Sequence, residues 1–148
     1  MDGLVLQTPA QPRELFLLFH GVGASPRDLV PVGQLLARAF PDAAVVSVPA
    51  PDASDFGSGL QWFSVRGVTE ENRPDRVRAT LPRFLETVRG WQEHTGVPAA
   101  GTTLLGFSQG AIMSLAAAME APPPAARVVS LSGRFDELPH RAPDGVRL

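Results

Sequence analysis

The residues with the clearest capacity for chemistry are Gly106-Phe107-Ser108-Gln109-Gly110, a G-x-S-x-G pattern between an apolar run and a second apolar segment. This spacing places a serine where a strand turns sharply into a helix, in a strained backbone conformation. Glycines two residues before and after the serine let strand and helix approach closely. Ser108 would then stand at a helix N-terminus, where unpaired N–H groups and the helix dipole favour a developing oxyanion. The plain alternative is a Gly-Ser turn joining strand to helix. A serine hydroxyl also needs a general base to become a useful nucleophile, which directs attention to His20, His94 and His140.

The elements needed to position such a serine can be read around it. Thr102–Leu105 reads as a buried strand, and Ala111–Ala118, apolar all round, as a helix packed against a sheet. Leu15–Phe19 is continuously apolar, as expected of a parallel strand covered on both faces. It ends in His20-Gly21-Val22-Gly23-Ala24, a glycine-rich loop at the strand end where open α/β sheets bind ligands. Ala43–Val48 and Ala126–Leu131 read as further strands, and Leu4–Leu6 as a short first one. Ser25–Asp28 offers a cap and Pro31 restarts a helix with an expected inner face of Val32, Leu35, Leu36, Ala39 and Phe40. Thr69–Asn72 can open a second helix to about His94, its inner face carrying Val77, Leu81, Phe84, Leu85, Val88 and Trp91. Pro82 should kink that helix. Asp52–Val68 reads as a long irregular loop, the kind that often carries function. Strands alternating with helices argue for a single α/β domain over residues 1–148, with a mostly parallel sheet covered on both faces.

Composition narrows the function classes. Hydrophobic residues make up 44% and charged residues 19% of the 148, and the net charge is −2. No basic concentration suggests a nucleic-acid partner. Without cysteine there is no disulfide framework, thiolate metal site or cysteine nucleophile. Nothing suggests a metal or another cofactor. No apolar run approaches a membrane span, and Met1-Asp2-Gly3 lacks the basic start of a signal peptide, so a cytoplasmic location is expected.

Four motifs in order, Leu18-Phe19-His20-Gly21-Val22-Gly23, Trp62-Phe63-Ser64, Gly106-Phe107-Ser108-Gln109-Gly110 and Leu131-Ser132-Gly133, resemble the bacterial carboxylesterase/phospholipase family. That family includes acyl-protein thioesterases and has the α/β-hydrolase fold. The resemblance implies Ser108 as nucleophile, with the backbone N–H groups of Val22 and Gln109 as the oxyanion hole. It makes the side chains of Val22 and Gln109 secondary, and gives His20 a part in shaping the loop. Trp62 and Phe63 would line the acyl or alcohol side of the cleft, with packing beneath the loop as the alternative for Trp62. The implied substrate is a small-molecule ester or thioester.

The sequence departs from this family after Ser108. The family's triad Asp lies at the end of a following strand and its His further on, and neither has a counterpart before Val146-Arg147-Leu148. Asp136 and His140 have the right order but stand four residues apart in one loop, whereas a triad needs them on separate strand ends. The expected fold is therefore an α/β-hydrolase sheet lacking its last strands and helices. Two functions follow: a serine esterase completed by other residues, or a non-catalytic remnant that keeps the pocket. The strand Ala126–Leu131 would be left as an apolar edge able to pair with a second copy as a homodimer.

Overall fold

The computed structural model describes residues 1–148. Strands β1 (Leu4–Gln7), β2 (Glu14–Phe19) and β3 (Ala43–Val48) are followed by two very short strands, β4 (Asp52–Ala53) and β5 (Leu60–Gln61). Then come β6 (Thr102–Phe107) and β7 (Arg127–Leu131). The helices are α1 (Val30–Ala39), α2 (Arg73–Thr95) and α3 (Gln109–Ala118). The main sheet has the order β1-β3-β2-β6-β7. Strands β3, β2, β6 and β7 are parallel, and β1 pairs antiparallel with β3. This is the expected mostly parallel α/β sheet.

Register explains why the site forms at one edge. Phe19, the last residue of β2, pairs with Val48 on one side and Gly106 on the other. Gly106 pairs in turn with Ser130 of β7. All four strands therefore end at one level, and the chain leaves them into the loops that carry the sequence motifs. Beneath that edge β2 and β3 are buried on both faces, as their unbroken apolar runs require.

The larger part of the core lies between the sheet and α2 and α3. Phe19, Trp62 and Phe84 form an aromatic triangle there, with ring centroids 4.5–6.1 Å apart. Val77, Phe84, Val88 and Trp91 are the inward positions of α2, which runs without a break through Pro82. The opposite face is smaller, formed by Phe16, Leu18, Leu29, Val45 and Leu105 beneath α1.

Three local expectations are corrected. α2 begins at Arg73, not Thr69, because Thr69 and Asn72 cap each other: the Thr69 N–H donates to Asn72 Oδ1 (2.7 Å) and the Asn72 N–H to Thr69 Oγ1 (3.2 Å). The inner face of α1 turns on Gly33, where a Cβ would lie 2.1 Å from a Leu6 methyl. Val32, Leu36 and Ala37 flank that close approach, while Leu35 faces solvent. The 52–68 segment also contains the β4–β5 hairpin, with Asp52 opposite Gln61.

The β7 edge is only partly open. Arg147 makes a parallel bridge to Arg127: the Val128 N–H donates to the Arg147 carbonyl and the Arg147 N–H to the Ala126 carbonyl, both at 2.9 Å. Beyond that bridge Val129 and Leu131 are about 40% exposed. No helix is long and apolar enough to cross a membrane.

Candidate active site

Ser108 follows β6 directly and caps α3, with φ 52° and ψ −113°. A positive φ is unfavourable for a residue with a side chain and persists only where its surroundings enforce it. Those surroundings are specific. The Ser108 N–H donates to the Leu131 carbonyl at the end of β7 (2.9 Å), and the Ser108 carbonyl accepts the Ile112 N–H (3.0 Å). The two motif glycines permit the crossing. A Cβ on Gly106 would lie 2.3 Å from the Ala111 nitrogen, and one on Gly110 would lie 2.1 Å from the Phe19 carbonyl oxygen. Gly133, from the last motif, packs on the first turn of α3, where a Cβ would come within 2.4 Å of the Ala111 Cβ.

The loop after β2 lies directly against this elbow. A Cβ on Gly21 would be 3.3 Å from the Ser108 Cβ. The Val22 N–H has no acceptor within the chain. The Gln109 N–H belongs to the first turn of α3, where backbone donors have no intrahelical partner. Ser108 is partly exposed and its hydroxyl has no hydrogen-bond partner. A polarised oxygen beside Ser108 would thus meet donors from two different elements, backed by the helix dipole.

His20 is built into the loop. Its Nε2 accepts the Ala50 N–H (3.0 Å), so the neutral ring carries its proton on Nδ1, which donates to the Gly21 carbonyl (2.8 Å). Burial pushes its pKa below the ordinary histidine value, opposed by the bond to Gly21 and the charge of Asp28. With both ring nitrogens engaged, His20 cannot accept a proton from Ser108 without breaking the loop. His94 lies at the end of α2, edge-on to Trp91 at 5.6 Å. His140 is exposed in the segment after β7, where Asp136 makes no hydrogen bond to it. None of the three histidines is hydrogen-bonded to the Ser108 hydroxyl.

The β4–β5 hairpin holds the other side of the loop. The Gly23 N–H donates to the Leu60 carbonyl (2.8 Å) and the Leu60 N–H to the Ala24 carbonyl (2.9 Å). Gly59, at φ 99°, packs on this junction, and a Cβ there would sit 2.2 Å from the Gly23 oxygen. Two residues beyond Leu60, the Trp62 N–H donates to Gln109 Oε1 (2.7 Å), and Gln109 Nε2 donates to the Phe63 carbonyl (2.8 Å). The Gln109 side chain is buried and holds the Trp62 and Phe63 backbone through these two bonds. Further along, the Asp55 carboxylate accepts the Ser64 hydroxyl, which is the main reason its pKa is lowered. The Arg76 guanidinium donates to the Ser64 carbonyl (2.6 Å).

Trp62 and Phe63 are 2% and 6% exposed, and both rings belong to the main core. Of the two expectations for Trp62, the arrangement in this chain is packing beneath the loop. Its edge borders an 820 Å³ cleft that also involves Pro49, Pro51, Arg83 and Trp91 and that Ser108 does not line. Neither Gly59 nor the Gln109 carboxamide stands out in the sequence as a neighbour of Ser108 and its loop. The only available hint was a glycine within a long loop and a polar residue opening a wholly apolar helix.

Residues 2–142 match the family model described as Phospholipase/Carboxylesterase. Over 142 residues the chain is 49% identical to Esterase YpfH of Escherichia coli (strain K12), covering 95% of this chain and 61% of that protein. Among solved structures, esterase PE8 superposes with a TM-score of 0.82 at 29% identity, over 90% of this chain and 64% of that one. A carboxylesterase from Mesorhizobium loti shares the fold with a TM-score of 0.71 at 20% identity, over 99% of this chain and 73% of its own. The chain thus spans about three fifths of the length of the curated relative, and that span contains the elbow, the loop after β2 and the β4–β5 hairpin. By sequence and by fold, this chain belongs to the phospholipase/carboxylesterase family.

Proposed function

We propose that the chain carries the nucleophile and oxyanion hole of a serine hydrolase that cleaves carboxylic esters, or thioesters, through an acyl-enzyme on Ser108. The observation that carries this reading is the enforced positive φ of Ser108, set beside a Val22 N–H with no acceptor. A strained backbone at a functional position is maintained because its surroundings demand it. Here those surroundings are two glycines in backbone contact and a hydrogen bond from a neighbouring strand.

In the proposed reaction Ser108 Oγ attacks the ester carbonyl carbon and its proton passes to a base. The carbonyl oxygen becomes an oxyanion that accepts from the Val22 and Gln109 N–H groups. Collapse expels the alcohol or thiol, protonated by the same base, and leaves an acyl-serine. Water then repeats the sequence and releases the acid. Each oxyanion donor in such a site is worth about 3–4 kcal/mol of barrier. The base is the part residues 1–148 do not provide, since His20, His94 and His140 are placed elsewhere. It comes from a further segment or a second polypeptide. Esterase YpfH and esterase PE8, whose names state esterase activity, support the chemical class.

The absence of any base at Ser108 favours one second reading, a non-catalytic remnant that binds acyl or anionic ligands at the two donors. Mass spectrometry after exposure to p-nitrophenyl acetate separates the two. Acetylation of the Ser108 peptide, absent in Ser108→Ala, supports the hydrolase. A folded chain joined to the C-terminal segment of a relative, so that a base is present, and still left unmodified by the ester supports the remnant.

A further inference from the structure

We infer that the Gln109 carboxamide is a positioning group that sets the spacing of the two oxyanion donors, acting through a backbone strap formed by residues 59–63. The inference rests on reading the Val22 and Gln109 N–H groups as those donors. They belong to elements far apart in sequence, and an oxyanion hole works only if both aim at one point. Val22 is held from two sides. On its N-terminal side His20 is pinned to Gly21 and Ala50, and Gly21 rests against the Ser108 Cβ. On its C-terminal side Gly23 and Ala24 are paired with Leu60. Leu60 is tied to α3 by the two bonds between the Gln109 side chain and the Trp62 and Phe63 backbone. One chain of bonds therefore runs from the Val22 loop through the strap and returns to Gln109, the residue that supplies the second donor.

The residue type fits this task. Trp62 presents an N–H and Phe63 a C=O, so the partner must accept and donate from one end, as a carboxamide does. An ionised carboxylate accepts only, and a thioether or aliphatic side chain serves neither group. The site is buried, so no water can stand in for a lost partner. The packing of Gly59 against the Gly23 carbonyl leaves the strap no slack at its other end. Adjacent Trp62 is anchored in turn by Phe19 and Phe84.

Gln109→Glu makes a direct test. A protonated glutamate keeps one donor and one acceptor in nearly the same shape, whereas the ionised form loses the donor and faces the Phe63 carbonyl. Buried, it will titrate above the ordinary glutamate value of about 4.3. The amide cross-peaks of Trp62, Gly23 and Val22 are followed by ¹⁵N–¹H NMR from about pH 4 to about pH 8. His20, Asp55, Arg76 and Asp28 are the titratable or charged groups around the loop and strap, so the unsubstituted chain is carried through the same series. The expected result is a variant that matches the parent at low pH, with all three amides departing together at one midpoint. If Trp62 titrates while Val22 and Gly23 do not, the carboxamide holds only its immediate neighbours and the inference is wrong. A variant indistinguishable from the parent throughout also overturns it.

Should Gln109→Glu fail to fold at any pH, hydrogen exchange on the unsubstituted chain decides. A common protection factor for the Trp62, Leu60 and Gly23 amides supports one strap, and unrelated values refute it. These readouts need no turnover. A coupled titration in a chain that never acylates, even when joined to the C-terminal segment of a relative that supplies a base, would refute the hydrolase reading while leaving the strap in place.

Discussion

The two ends of the active edge are built differently. Where β2 and β6 run into the elbow, the tightest approaches are to backbone: Gly110 on the Phe19 carbonyl, Gly106 on α3, Gly59 on the Gly23 carbonyl. Both nitrogens of His20 and both ends of the Gln109 amide are paired there. Past β7 the character changes. Val129 and Leu131 are exposed, and Arg134 and Glu137 meet their partners at the surface. On the proposed reading, stabilising an oxyanion and accepting a proton are separate jobs, built by separate parts of the fold. The geometry proposed for the first job lies within residues 1–148. It is held by steric constraint against backbone, whereas past β7 the tight approach of Gly133 is to the Ala111 and Ser130 side chains.

The largest effect that would sharpen this contrast is steric. Gly110→Ala puts a methyl against backbone that cannot rotate away, so urea denaturation should show a loss of about 3 kcal/mol or more, the upper end for overpacking. Gly145→Ala, beyond β7 at φ 70° with open space around it, should cost only the backbone strain of about 1–2 kcal/mol. Equal losses would erase the distinction.

The next effect is electrostatic. His20 is held neutral with its pKa lowered, so as pH falls through the unfolded value near 6.5 the unfolded chain takes up a proton that the folded chain refuses. Stability should therefore be unaffected above that pH and decline below it, by at most about 1.4 kcal/mol per pH unit, until the folded pKa is reached. His20→Gln should remove that component of the slope, measured as urea midpoints across the pH series. An unchanged slope would mean that His20 is not the group responsible.

The smallest effect belongs to the open edge. Leu131→Lys should change folding stability by no more than about 0.5 kcal/mol, as surface substitutions usually do. If the edge pairs two copies, the same change should shift size-exclusion light scattering from dimer toward monomer, because edge lysines oppose strand pairing. A parent chain that is already monomeric at high concentration would remove the homodimer expectation.

Much of this architecture could be read from the residues. The strands β2 and β3 announce themselves as apolar runs, and Gly106-Phe107-Ser108-Gln109-Gly110 fixes strand, turn and helix in five residues. Leu131-Ser132-Gly133 becomes intelligible only in three dimensions, where Leu131 accepts the Ser108 N–H and Gly133 packs on α3. What could not be read depends on distant partners. The Gln109 side chain bonds to backbone 46 and 47 residues away. The inner face of α1 is hard to read from sequence because Gly33, which has no side chain to signal burial, is its point of closest approach. Trp62 could equally have lined a cleft or filled a core, since an aromatic in a loop suits both. Its edge-to-face packing against Phe19 and Phe84 puts it in the core of this chain.

The most direct measurement is covalent labelling of the chain with a fluorophosphonate probe, with Ser108→Ala alongside and circular dichroism confirming that both are folded. The account predicts labelling at Ser108 when the missing base is supplied by joining the C-terminal segment of a relative, and none in the variant. Labelling that persists in Ser108→Ala, or a completed and folded chain that never reacts, would contradict it.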